Sequence, residues 1–209
     1  MTDFRIIFSK KGSLAFISHL DLTHTFIRAL KRAGIPLKYS EGFNPRPKMA
    51  FGLPLSVGTE GENEILDLSL SRDLSCEELK EKLQGSLSDE LKIKSVSEPG
   101  KKIKNIKYAV YRVEFEDYHG DENAVNAVLQ NPPPVMKHSK SGEKLTDIKP
   151  MIISAKAVNE GASFIIDLTL TAYDCMNLNP EYVIKSINSS GITLPEDYKT
   201  TRTDIIFEE

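Results

Sequence analysis

The feature that most constrains this fold is an order of hydrophobic patterns along the chain. Residues 3–9 (DFRIIFS) alternate and are rich in Ile and Phe, as a half-buried strand requires, and they stop at a Lys-Lys-Gly turn. A helix is expected next. Ser18 is an N-cap with Asp21 three residues on, and Gly34 is the C-terminal stop. Between these caps Leu22, Phe26, Ala29, Leu30 and Ala33 make one apolar stripe, while Arg28, Lys31 and Arg32 share a different face. Residues 48–55 and 64–70 read as two strands of a hairpin turned at 57–62. Ser75 with Glu78 starts a second helix over Leu79 and Leu83, and residues 91–96 are a last strand.

Strand, helix, strand, strand, helix, strand is the ferredoxin-like order, and after a lysine-rich stretch (GKKIKNIK, residues 100–107) it recurs. Residues 108–116 alternate, 121–130 suit a helix, and 151–158 with 163–171 suit a hairpin across Asn159-Glu160-Gly161. Residues 179–188 are helical from Pro180, and 203–207 close as a strand. The expectation is an α+β protein of two tandem ferredoxin-like (βαββαβ) modules with antiparallel sheets. They span residues 1–99 and 108–209, joined by a linker at 100–107. The duplication rests on element order and not on repeated residues.

Composition narrows the function. Apolar residues are 40% and charged residues 27% of the 209, a globular balance. Apolar runs reach only about five residues, far short of the roughly 20 that cross a bilayer, so no membrane partner is expected. Residues 1–12 carry Asp3 and Arg5 and have no signal-peptide hydrophobic region, which makes a cytoplasmic protein the expectation. Cys76 and Cys175 are too far apart to form a metal knuckle or a redox pair, and both read as buried or half-buried thiols. His19 and His24 do not share a helix face. A Walker loop, a dinucleotide glycine motif, a nucleophile elbow and a zinc-protease signature are all missing. No metal and no cofactor are expected.

The net charge is −3, so anion binding has to come from local imbalance. Residues 22–50 carry Arg28, Lys31, Arg32, Lys38, Arg46 and Lys48 against Glu41 alone. Within them Pro45 and Pro47 hold Asn44 and Arg46 extended, and Gly42 permits the turn that aims Phe43. Such stiffness lowers the ordering cost of binding. Three donors, Asn44, Arg46 and Lys48, beside Tyr39, Phe43 and Phe51 suit an anionic, planar ligand, and RNA is the leading candidate. The competing structural reading makes this a crossover loop with Phe43 and Phe51 in the core. Ser18 and Asp21 are explained as caps, which leaves His19 at the helix N-terminus as a seat for phosphate or carboxylate. Residues 132–149 read as a second, solvated basic loop, with Lys137, Lys140, Lys144 and Lys149 against Glu143 and Asp147.

The run from Phe16 to Leu70 resembles a bacterial radical-SAM-linked protein family, a domain of uncharacterised function. The residues that carry the likeness are Phe16 to Asp21, Arg32 to Gly34, Tyr39-Ser40, Gly42 to Pro45, Pro47-Lys48, Pro54-Leu55 and Gly58. Arg46 stands where the family often has His, which weakens any acid–base role there and is neutral for anion binding. The likeness is specific over roughly the first 70 residues. Lys144 to Ile152 and Arg202-Thr203 are similar to the family's second half. The resemblance implies a partner, a radical SAM enzyme with a cobalamin-binding domain. This chain is not expected to be that enzyme, because a [4Fe-4S] cluster needs closely spaced thiolates. The expected function is therefore a non-catalytic accessory protein that binds tRNA or rRNA beside such an enzyme. Its contacts are assigned to His19, Arg28, Lys31, Arg32, Tyr39, Phe43, Asn44, Arg46, Lys48, Lys144, Asp147, Lys149 and Arg202. One rival is a metal-independent RNA endonuclease of the CRISPR repeat-processing type with His19 as general base. Such nucleases usually carry a glycine-rich loop before the last strand, and residues 194–201 contain no glycine. The other rival is a scaffold that only docks the enzyme.

Overall fold

The computed structural model describes residues 2–139, 142–173 and 176–208. The chain divides into two compact units, one ending at Ile106 and the other Lys107–Glu208. Both are α+β with antiparallel strand pairs. Among the described residues no helix is long and apolar enough to cross a membrane.

In the first unit β1 (Asp3–Lys10), α1 (His19–Arg32), β2 (Met49–Phe51), β3 (Thr59–Ser69), α2 (Cys76–Gln84) and β4 (Leu91–Ser97) follow in that order. The strands lie as β4-β1-β3-β2, antiparallel throughout. Alternation in β1 sends Phe4, Ile6 and Phe8 into a core that they share with Leu22, Phe26, Leu30, Leu66, Leu68, Leu79 and Leu83.

Local chemistry sets both ends of α1. The Ser18 hydroxyl oxygen accepts from the Asp21 N–H at 3.1 Å and donates to the Asp21 carboxylate at 2.7 Å. Ile17 before the cap and Leu22 after it both pack on the core, a hydrophobic staple. At the other end Gly34 takes φ +66. Its N–H donates to the Lys31 carbonyl, and the Ile35 N–H donates to the Leu30 carbonyl at 2.9 Å. This is a Schellman stop, sealed by burial of Leu30 and Ile35. Ser75 caps α2 through the Glu78 N–H at 3.1 Å, and Cys76 is half-buried.

Two expected strands shift. The one placed at 48–55 shrinks to Met49–Phe51, although the Gly52 N–H still donates to the Ile65 carbonyl at 2.8 Å. Pro54, which has no N–H, follows. The turn placed at 57–62 is shorter, since β3 already begins at Thr59. The lysine-rich stretch also carries structure: a 3-10 turn spans Ile103–Asn105, and the Arg5 guanidinium donates to the Lys101 carbonyl at 2.8 Å.

The second unit contains β5 (Ile106–Phe115), α3 (Glu122–Gln130), β6 (Val135–Ser139), β7 (Gly142–Thr146), β8 (Ile152–Glu160), β9 (Ser163–Thr171), α4 (Pro180–Ser189) and β10 (Lys199–Phe207). Its main strands lie as β10-β5-β9-β8. Asp121 and Asn179 cap α3 and α4. The segment read as a solvated loop at 132–149 is instead a β-hairpin, β6 on β7, with Val135 opposite Thr146 and Lys137 opposite Lys144. Its polar, lysine-rich strands hide the alternation, because Met136 and Leu145 pair on an exposed face rather than a buried one. Lys140 and Cys175 lie outside the described residues.

Candidate nucleic-acid interface

Residues 38–48 form a hairpin that extends from the sheet's β2 edge. Lys38 donates from its backbone to Ser69, and Ser69 donates back to Lys48, at 2.9 Å each. Lys48 N–H bonds the Lys38 carbonyl, and Ser40 N–H bonds the Arg46 carbonyl, both at 2.8 Å. Tyr39 lies opposite Pro47, at a pair position where proline's missing N–H costs nothing. The Ser40 hydroxyl oxygen accepts from the Arg46 N–H at 3.0 Å, which closes the tip. Gly42 holds φ +125 there, a region an L side chain rarely enters.

At that tip the Phe43 ring is exposed to 106% of its reference area. The crossover reading that put Phe43 in the core is overturned. Phe51, the other ring of that reading, is a packing residue. It is half-buried and meets Phe8, Phe26 and His19 edge-on, with centroids 6.1, 5.7 and 5.1 Å away. Its expected stacking role is corrected accordingly. Tyr39, Asn44, Arg46 and Lys48 are all exposed along the same hairpin.

Cations in this unit differ in what they bond. Lys11 and Lys82 sit within 2.9 Å of Glu62 and Glu78 respectively. Arg28, Lys31, Lys38, Arg46 and Lys48 are exposed and have no acid partner among the described residues. Arg32 is tethered, its guanidinium donating to the Ser86 carbonyl at 2.7 Å. Arg28 and Lys31 occupy the solvent side of α1, opposite the buried Leu22, Phe26, Ala29 and Leu30. His19 stands at the N-terminus of α1 with its imidazole exposed above Phe51.

The remaining expected contacts belong to the second unit. Lys144 is exposed on β7, and the Asp147 carboxylate accepts from the Lys149 N–H at 2.9 Å. The Lys149 ammonium donates to the Asn131 side chain at 3.0 Å. Arg202 departs from expectation. It is 1% exposed and engaged inside the fold, so its guanidinium is not available to a ligand from solvent.

Sequence reasoning passed over three exposed apolar side chains of the first unit: Phe16, Leu20 and Val57 are 71%, 63% and 62% exposed. Leu20 falls off the α1 stripe, which was the available signal. Among the described residues no group of three or more His, Cys, Asp or Glu side chains is placed to hold a metal ion.

Residues 4–180 match the model of a family described as an uncharacterised protein conserved in bacteria (DUF2344). The chain belongs to that family. No curated protein matches it. Among solved structures, one chain of a crystal structure titled a Cbf5-Nop10-Gar1 complex is similar at 11% identity and a TM-score of 0.49, over 97% of this chain and 48% of that one. The DUF2344 chain thus spans about half the length of that relative. A second, an unknown protein from Galdieria sulphuraria, aligns at 12% identity and a TM-score of 0.29, over 100% of this chain and 99% of that one. Neither likeness bears on function.

Proposed function

We propose that this DUF2344 chain is an RNA-binding accessory protein without catalytic chemistry of its own, built of two ferredoxin-like modules and working beside a radical SAM enzyme. The module reading is supported by strand orders β4-β1-β3-β2 and β10-β5-β9-β8, which put the βαββαβ elements of each unit in one arrangement. The RNA reading rests on the Phe43 ring, held wholly in solvent on a proline-stiffened hairpin among unpaired cations. Leaving a phenylalanine out of a core forgoes roughly 1.5–3 kcal/mol, and stacking on a base recovers such a loss. Phosphates then fall to Arg46, Lys48 and Lys38. A docking scaffold would expose mainly apolar side chains on the hairpin, whereas the hairpin that carries the ring exposes Lys38, Glu41, Asn44, Arg46 and Lys48. The partner is supported by the resemblance of the Phe16–Leu70 run, and the exposed Phe16, Leu20 and Val57 of that run are the apolar side chains offered to it.

Filter binding of total RNA at a series of salt concentrations tests the RNA half. Each neutralised phosphate adds about 0.7 to the slope of log K against log salt on a single strand. The proposal expects a slope steeper than about −2 that flattens by about 1.4 in Arg46→Gln with Lys48→Gln. A flat slope refutes it. Cleavage of labelled RNA by metal-free protein, abolished in His19→Ala, replaces it with the nuclease. Co-purification with a radical SAM enzyme, lost in Leu20→Lys, tests the partner; its persistence in that variant removes the apolar contact.

A further inference from the structure

The first unit contains a groove of about 680 Å³ beside the hairpin, within the roughly 300–1,000 Å³ of small-ligand sites. Lys48 belongs to both: it is the hairpin's last paired residue and one wall of the groove. Ala50 and Pro99 give the groove apolar surface, and Asp3, Asp67 and Glu98 add carboxylates. The carboxylates are not equivalent. Asp67 is taken by the Arg5 guanidinium through two hydrogen bonds of 2.7 Å. Asp3 accepts from the Ser69 hydroxyl through one oxygen only. Glu98 is exposed with no side-chain partner among the described residues. Three carboxylates against Lys48 and the Arg5 that pairs Asp67 leave the groove net acidic.

A net-acidic groove repels a phosphate and accepts from hydroxyl and amino donors. Lys48 at its edge attracts a phosphate. We infer that the groove takes the sugar and base of one unstacked ribonucleotide whose phosphate rests on Lys48, with Glu98 and Asp3 accepting from the ribose 2′-hydroxyl and its neighbours. The inference rests on the RNA reading of the hairpin. It adds a property which stacking and phosphate contacts do not supply, discrimination of RNA from DNA, since the 2′-hydroxyl is what distinguishes the two at a given site.

The experiment measures Kd by fluorescence anisotropy for labelled RNA, DNA and 2′-O-methyl RNA of one unstructured sequence, on the full chain at fixed salt. RNA is expected to bind about ten-fold or more tighter than the other two, the effect of one charge-assisted hydrogen bond. Glu98→Met with Asp3→Asn is expected to bring the RNA-to-DNA ratio close to one, the loss of two negative charges acting on RNA and DNA alike. Both positions are exposed and Asn keeps an acceptor for Ser69, and a circular dichroism melt checks the fold of the variant. Equal binding of RNA and DNA by the native chain, or a ratio that survives in the variant, overturns the inference and leaves the hairpin reading intact. Binding of no nucleic acid at all overturns both.

Discussion

Replacing Phe43 with alanine separates binding from folding. The native ring lies wholly in solvent at the hairpin tip, so its removal uncovers no cavity and breaks no packing. Stability is expected to change by less than about 0.5 kcal/mol. The same truncation removes one base–aromatic stack, worth about 1–3 kcal/mol, and Kd for a single-stranded RNA is expected to rise about 5- to 150-fold. Phe51→Ala supplies the contrast. That ring is wedged edge-on between Phe8, Phe26 and His19, and its loss is expected to cost about 3 kcal/mol of stability. The chain has no tryptophan, so urea unfolding is followed by far-ultraviolet circular dichroism. Binding is followed by anisotropy of a labelled RNA of roughly 12 nucleotides, the scale of single-strand sites. If Phe43→Ala leaves Kd unchanged, the ring is not a stacking platform. If it lowers the urea midpoint as far as Phe51→Ala does, the ring is a packing residue and the interface is misplaced.

Gly34→Ala is expected to destabilise the chain by about 1–2 kcal/mol in urea unfolding, because Gly34 needs φ +66 although a Cβ there meets no atom within 4 Å; an unchanged midpoint contradicts the Schellman stop. Glu90 is held below the ordinary carboxylate value first by the Ser13 hydroxyl and then by the Ser13 N–H, at 2.7 and 3.0 Å. A carboxylate lowered by folding stabilises above its unfolded pKa and loses that contribution as pH falls through the folded one. The native chain is therefore expected to exceed Glu90→Gln in melting temperature above about pH 4.5, with the gap closing at lower pH; a gap independent of pH refutes this. Asn126 bonds both backbone groups of Ala157 on the β8 edge, at 2.8 and 2.9 Å. Asn126→Ala is expected to cost about 1–3 kcal/mol and to promote self-association through the bared edge, read by urea midpoint and size-exclusion chromatography. A variant that is monomeric and equally stable disproves the edge cap.

The succession of elements was legible because each signal is local. Ser18, Ser75, Asp121 and Asn179 each cap a helix through an N–H two or three residues on, and Gly34 stops one through its own dihedral angle. Alternation in β1, β5 and β9 is written in neighbouring residues. The hairpin's stiffness was equally readable from Pro45, Pro47 and Gly42.

Tertiary structure decided which side of each surface faces water. The letters FNPRPK fit a buried crossover and an exposed tip equally well; pairing of Tyr39 with Pro47 and of Lys38 and Lys48 with Ser69 sends Phe43 outward. Burial of Arg202 and exposure of Phe16 likewise depend on contacts made by distant residues. The β6–β7 hairpin stayed hidden because its apolar pair, Met136 and Leu145, faces solvent. The groove beside Lys48 joins β1, β2, β3 and the residues after β4, segments far apart in the chain. Caps and alternation come from neighbours along the backbone, whereas a binding surface exists only once distant segments have packed.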